Sequence, residues 1–348
     1  MKWTSKLPLL NEGSDKKMES VLTNESEIGL NKTIETLHNL RVAHTGWQEI
    51  LDEFNDLITF APYSNEGVGM MIIGESGVGK TTLLKAIKSR FPEAQQRDDR
   101  TLVPCPLVSI PSRPTIKSVA QATLAALGDP LAGVGGQTTV ELTSRIVCLT
   151  KGCESQALLF DEANHFVDGR RGDSLLQISD WFKELSDQCE IPFVLCGLPR
   201  SEAILECNVQ LRRRFSTTLE LSLFDQTTDK LSLTRFTKVI KAICSHIPML
   251  SHSNLLDSDT ATKLFVASDG RIGPLVKLLS AALKIAVRKS QAVIEGSVFE
   301  RAFQRAIWRS GVGSLNPFNS GFKIRRLDKP SEPYAGTSRD PVKRTKKS

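Results

Sequence analysis

The chain has 348 residues, of which 40% are hydrophobic and 24% charged. That is ordinary globular composition, with length enough for two domains. Seven cysteines and five histidines make no Cys-x-x-Cys or His-x-x-x-His spacing, so neither a zinc site nor a disulfide framework is supported. No apolar run approaches the ~18 residues of a membrane span, and the start, Met1 to Pro8, is too polar for a secretory signal. A cytoplasmic protein with no membrane partner is expected. The net charge of +6 is concentrated at one end, because residues 311–348 hold nine Lys/Arg against three Asp/Glu and the remainder is balanced.

Residues 1–36 read as a polar extension without a core. From Leu37 the pattern tightens, and Trp47, Ile50, Leu51, Phe54, Leu57 and Ile58 recur at helical spacing up to Ala61-Pro62. Trp47 is read as core on that face rather than as a neighbour of a purine. Met70 to Ile73 then form a buried strand that breaks into Gly74-Glu75-Ser76-Gly77-Val78-Gly79-Lys80-Thr81-Thr82, followed by an amphipathic helix carrying Leu83, Leu84 and Ile87. Strand, glycine loop and Lys-Thr at a helix start make a phosphate-binding loop. Its glycines let backbone N–H groups turn toward phosphate oxygens, Lys80 adds a positive charge for the β- and γ-phosphates, and the Thr81 hydroxyl suits a Mg²⁺ ion. ATP and Mg²⁺ are the cofactors this predicts, with residues 74 to 82 as the nucleotide-binding set.

Leu102 to Ile110 reads as a second strand, Pro111-Ser-Arg-Pro as a turn, and Thr115 as the cap of a helix through Leu127 that Gly128-Asp-Pro stops. The third strand, Ala157 to Phe160, delivers Asp161 and Glu162 at its end, on a strand able to neighbour the nucleotide strand. Asp161 is expected to hold Mg²⁺ with Thr81, and Glu162 to polarise the attacking water. His165 beyond it is read as a satisfied surface histidine. After a helix over residues 173–188, Phe193 to Gly197 is a fourth strand; where ATPases of this build offer Asn, Ser or Thr to the γ-phosphate, this chain has Cys196. A thiol is a weak hydrogen-bonding group, so slow hydrolysis is predicted. Arg212-Arg213-Arg214 precede the last strand, Thr217 to Leu221, where a ring-forming ATPase projects an arginine at its neighbour's γ-phosphate; Arg214 ranks first and Arg213 second. Beyond Phe224 only helical periodicity remains.

The expected fold is α/β, with a five-stranded parallel sheet and a small all-helical lid. With phosphate loop, Asp-Glu strand, Cys196 strand, trailing arginines and lid in this order, the chain resembles AAA+ P-loop ATPases. Its segments are the extension 1–36, the nucleotide-binding domain 37–225, the lid 226–310 and a basic tail 311–348 unable to fold alone. The runs Pro111 to Pro130, Gly197-Leu-Pro-Arg-Ser-Glu-Ala-Ile-Leu and Leu211-Arg-Arg-Arg-Phe215 further resemble the TnsC/TniB family of transposition regulators over about residues 40–290. The resemblance implies an ATPase, used as an assembly switch, that forms rings or filaments on double-stranded DNA and links a target-selection protein or complex to transposase subunits. It implies roles for Lys80, Thr81, Asp161 and Glu162 in ATP turnover, and for Arg214 or Arg213 at a neighbour's site. The chain departs from it at Gly270-Arg-Ile-Gly-Pro, where glycine stands in place of the lid arginine, with Arg271 the possible substitute. Arg113 and Lys117 are the expected DNA-phosphate contacts. A helicase loader or replication initiator is the alternative function. A protein-remodelling motor and a non-hydrolysing scaffold are weaker rivals.

Overall fold

The computed structural model describes residues 29–40, 45–64, 66–168, 173–224, 231–251 and 253–335. The chain divides into two compact units, residues 43–223 and residues 1–42 with 224–348. The extension before residue 29 and the end of the basic tail, 336–348, lie outside the described residues.

The first unit is built on a parallel sheet of β1 (Gly69–Ile73), β4 (Leu107–Ser109), β5 (Leu158–Asp161), β6 (Phe193–Gly197) and β7 (Thr217–Glu220), in the order β4-β5-β6-β1-β7. A side pair, β2 (Gln95–Gln96) and β3 (Thr101–Leu102), is antiparallel. The stretch expected as one strand from Leu102 to Ile110 is thus two, since Pro104 and Pro106 have no N–H to continue a ladder. Strand order also differs from expectation. β6 lies between the nucleotide strand and the Asp-Glu strand, pairing Ile72 with Cys196 on one side and Phe160 with Leu195 on the other. Nothing in the spacing of apolar runs along the chain encodes which strands become neighbours.

Alternation along the strands separates two cores. Met71, Ile73, Val108, Phe160, Phe193 and Leu195 face α4 (Ile116–Ala126), α5 (Thr139–Gly152) and α6 (Asp173–Cys189). Met70, Ile72, Leu159, Val194 and Cys196 face α2 (Thr45–Phe60) and α3 (Lys80–Lys88). Trp47 is buried in the second core, as expected. Thr115 caps α4 as predicted, through a reciprocal capping box with Ser118, and Thr138, not singled out in the sequence, does the same for α5 with Glu141.

The second unit is helical. It holds α1 (residues 29–39), α9 (Ser232–His246), α10 (Pro248–Ser251), α11 (Ser258–Ser268), α12 (Ile272–Arg288) and α13 (Gly296–Ala306). Its core includes Phe236, Leu264, Leu275, Leu279, Phe299 and Phe303, with Leu37 of α1 buried among them. Two expectations are corrected here. Residues 29–36 are part of a helix belonging to this unit, not a coreless extension, and residues 311–335 are folded. Leu327 and Tyr334 are buried in the helical core, and the Tyr334 hydroxyl donates to the carbonyl of Ala267 at 2.7 Å. Two of the charges that made this segment look unfoldable are paired: Arg325 with Glu332, and Arg326 by two bonds (2.7 and 3.0 Å) with the buried Asp269. Among the described residues no helix is long and apolar enough to cross a membrane.

Candidate nucleotide site

The phosphate loop rises from β1, whose five residues are all buried. Gly74 follows at a place where a Cβ would lie 2.6 Å from the Leu221 carbonyl, and Gly77 and Gly79 take φ of 80° and 105°. A side chain at any of the three would clash or strain the turn. α3 starts immediately after, so its N-terminal N–H groups and dipole face the loop. Lys80 is buried, and its ammonium donates to the carbonyls of Gly74 (2.8 Å) and Glu75 (3.0 Å). Burial lowers its pKa, against the opposing pull of Cys196, Glu162, Asp161 and Glu75.

The Thr81 hydroxyl donates to Asp161 Oδ2 at 2.7 Å, across 80 residues of chain. A hydroxyl and a carboxylate meeting this way are hard oxygen donors of the kind Mg²⁺ takes beside phosphate and water. Among the described residues no cluster of three or more His, Cys, Asp or Glu forms a metal cage. Asp161 is held in place by the backbone N–H of Glu162, which donates to Oδ1 at 2.9 Å. Glu162 itself sits at φ 61°, left-handed, and is half-buried. Its carboxylate is close enough to Lys80, Cys196 and Arg200 to shift all three. Cys196 is fully buried in the central strand between β1 and β5, and burial pushes its thiol well above the ordinary value. It is a neutral thiol at physiological pH.

Two groups at this rim were not among the predicted residues. Arg200, three residues past β6, forms a two-bond ion pair with Asp168 (2.6 and 3.0 Å). That pair raises the Arg200 pKa most, with Glu75 and Glu162 adding to it. Buried Asn164 accepts the Leu198 N–H at 3.3 Å, while the Gly74 N–H donates to the Gly197 carbonyl at 3.1 Å. The turns after β1, β5 and β6 are thereby fastened together. A cation three residues beyond a core strand was the available signal for Arg200. His165 is satisfied as expected, its Nδ1 lying 2.8 Å from the Ile110 carbonyl.

Arg214, ranked first among the arginines, is engaged within its own unit. Arg214 bonds Asp187 of α6 twice (2.6 and 3.0 Å) and the Gln210 carbonyl at 3.0 Å, with only 11% of its side chain exposed. It braces α8 (Val209–Arg214), which follows the short α7 (Ala203–Glu206), against α6, while Arg212 and Arg213 are exposed. Burial raises the Asp187 pKa, but the bonds from Arg214 and from the Gly67 N–H outweigh it and the net shift is downward. The stabilisation is therefore complete above the unfolded carboxylate value of about 3.9 and is lost as pH falls through the lower folded value. Wild type and Asp187→Asn should differ in urea midpoint at pH 7 and converge toward pH 2; parallel curves over that range would deny the pair this role.

Arg271 does not stand ready as a lid cation. It is 5% exposed, bonded to Asp269 at 3.3 Å and placed over the Tyr334 ring at 5.7 Å. Proline and glycine after it begin α12, and the side chain turns into its own unit's core. Arg113 is exposed on the turn after β4 at φ 62°, and Lys117 is half-buried on α4, near Glu141, whose pKa is lowered chiefly by its bonds from Thr138 with Lys117 adding to them.

The fold is that of AAA+ ATPases. Solved structures similar to this chain include the Aeropyrum pernix ORC1 protein in complex with DNA (16% identity, 79% of this chain and 69% of that chain covered, TM-score 0.56). The Aeropyrum pernix ORC2 protein in ADPNP-ADP complexes matches at 13% identity, 74% and 67% coverage and TM-score 0.55. Cdc6p from Pyrobaculum aerophilum matches at 12%, 74% and 66%, also at 0.55. At such identities the likeness is one of fold, and this chain spans about two thirds of those chains' length. No curated protein matches it. The family described as "Bacterial TniB protein" matches residues 34–223, more than half of the chain and the whole of the sheet-bearing unit with its phosphate loop. The chain belongs to the TniB family, and it has the fold of AAA+ ATPases.

Proposed function

We propose that the protein is an ATP-dependent regulator of DNA transposition: an ATPase that assembles on target duplex DNA and couples a target-selection complex to the transposase. The observation that carries this reading is the Thr81–Asp161 contact beside Lys80 and Glu162, in a chain of the TniB family. In the proposed reaction the loop and Lys80 bind the phosphate chain, and Glu162 takes a proton from the attacking water. A Mg²⁺ ion held by Thr81 and Asp161 would neutralise charge on the β- and γ-phosphates. Cys196 would offer a bound nucleotide only a weak donor, so basal turnover should stay below about one per second, under the ~10 s⁻¹ of a typical enzyme. Rapid basal phosphate release would refute that assignment.

Arg213, exposed on α8, is the arginine proposed to reach a neighbouring subunit's γ-phosphate. Arg213→Ala should lower assembly-stimulated hydrolysis by about 10³-fold and leave the melting temperature unchanged. Arg214→Ala should instead cost ~2 kcal/mol of stability, the worth of its charged hydrogen bonds. The opposite pattern would restore Arg214 as the trans-acting residue. Arg113 and Lys117 are the proposed phosphate contacts of this unit. The alternative of a helicase loader or initiator draws on the ORC and Cdc6 likeness, which is a likeness of fold.

Electron microscopy of the full chain with duplex DNA, with and without ATP and beside Lys80→Ala, tests the proposal. ATP-dependent assemblies on DNA that vanish in the variant support it. Absence of any DNA-bound assembly, with hydrolysis stimulated by protein substrates, would replace it with a remodelling motor.

A further inference from the structure

We propose that a groove formed by α1, α12 and α13 of the helical unit is a binding site for the backbone phosphates of duplex DNA. The inference rests on the reading of a DNA-assembling ATPase, and it adds a contact surface on the unit that does not hold Arg113 and Lys117.

Charge is divided sharply between the two units. Residues 43–223 hold 17 Lys/Arg against 23 Asp/Glu, whereas the remaining residues hold 28 against 16. A polyanion is repelled on average by the first unit and attracted by the second. Within the helical unit some basic residues are paired and others are not. Lys263, Arg271, Arg325 and Arg326 have acidic partners. Lys277, Lys284 and Arg305 have none among the described residues, are exposed, and converge with His38 and Ser280 on a groove of about 330 Å³. No acidic residue lines it. α12 carries no Asp or Glu in its 17 residues. Holding like charges together without counter-charges is unfavourable, and an anion in the groove relieves it.

The pattern favours a polymer over a single phosphate. Lys277, Lys284 and Arg288 stand at i, i+7 and i+11 on α12, one side of the helix. At 1.5 Å per residue the stripe runs about 16 Å, which matches roughly five nucleotides of one strand at 3.4 Å each. The charges continue past the groove instead of closing around one ion. No Phe, Tyr or Trp lines the site, so there is no run of large rings on which to stack successive bases of a single strand. Between the cations, the Ser280 hydroxyl and His38 Nε2 lie 3.3 Å apart and supply uncharged polar atoms. What is left is phosphate contact without base readout, as a protein choosing no sequence of its own requires.

The test is the salt dependence of duplex binding by the full chain with ATP, comparing wild type, the neutral variant Lys277→Gln/Lys284→Gln/Arg305→Gln, and the charge-keeping variant Lys277→Arg/Lys284→Arg/Arg305→Lys. The neutral variant should make the slope of log K against log salt shallower by about 2.7, three contacts at 0.9 each. Basal ATP hydrolysis should not change, and the charge-keeping variant should retain the wild-type slope. A wild-type slope in the neutral variant overturns the inference alone, and one accompanied by loss of DNA-free self-assembly assigns the groove to acidic protein surface instead. A wild type that binds no duplex removes the reading beneath it.

Discussion

Glu162→Gln is expected to bind ATP with wild-type affinity and to hydrolyse it about 10²- to 10⁴-fold more slowly, the usual worth of a positioned general base. The amide keeps the size of the side chain but cannot take the proton of the attacking water. Asp161, the Glu162 backbone N–H and the Thr81 hydroxyl stay in their present arrangement, because none of their bonds passes through the Glu162 carboxylate. ATP-bound assemblies on DNA should therefore accumulate and persist, where Lys80→Ala should form none. Phosphate release and the binding of a fluorescent ATP analogue separate the two outcomes. Hydrolysis within threefold of wild type would remove Glu162 from the chemistry.

Asp269→Ala should destabilise the helical unit by about 3–5 kcal/mol, the penalty for removing one member of a buried ion pair. Asp269 is 2% exposed and accepts from both Arg271 and Arg326. Without it, two guanidinium groups share a buried site with the Tyr334 ring and lose the carboxylate between them. The first consequence should be release of residues 325–335, read as new protease cleavage there under native conditions. A cleavage pattern and urea midpoint equal to wild type would show that the apolar contacts of Leu327 and Tyr334 hold the segment without the charges.

The meeting of Thr81 with Asp161 beside the glycine loop was legible because the residues of this candidate site sit in short local patterns. The glycine spacing, Lys80, Thr81 and the Asp161-Glu162 pair each follow an apolar strand within a few residues, and the chemistry forces those residue types. Ion pairing was not legible in this way. Arg214 looked like a free cation because Asp187 lies 27 residues away, on another helix. Arg326 and Asp269 are 57 residues apart, so the segment after residue 310 read as net charge with little to bury. Composition counts charges and cannot tell a paired one from a solvated one. Arg271 failed for a related reason, since its position after glycine was visible but the inward turn of its side chain depends on Tyr334.

The sheet ends at β4 and β7, and both edges are poor templates for another strand. β4 is three residues long and lies between Pro106 and Pro111, which have no N–H to offer a partner. β7 is Thr217-Thr-Leu-Glu220, with alternate residues exposed and a carboxylate at its end. Short, proline-flanked and charged edges discourage fibre-like joining of chains through their backbones. Copies of this protein at high local concentration thus run little risk of zipping irreversibly into cross-chain sheet.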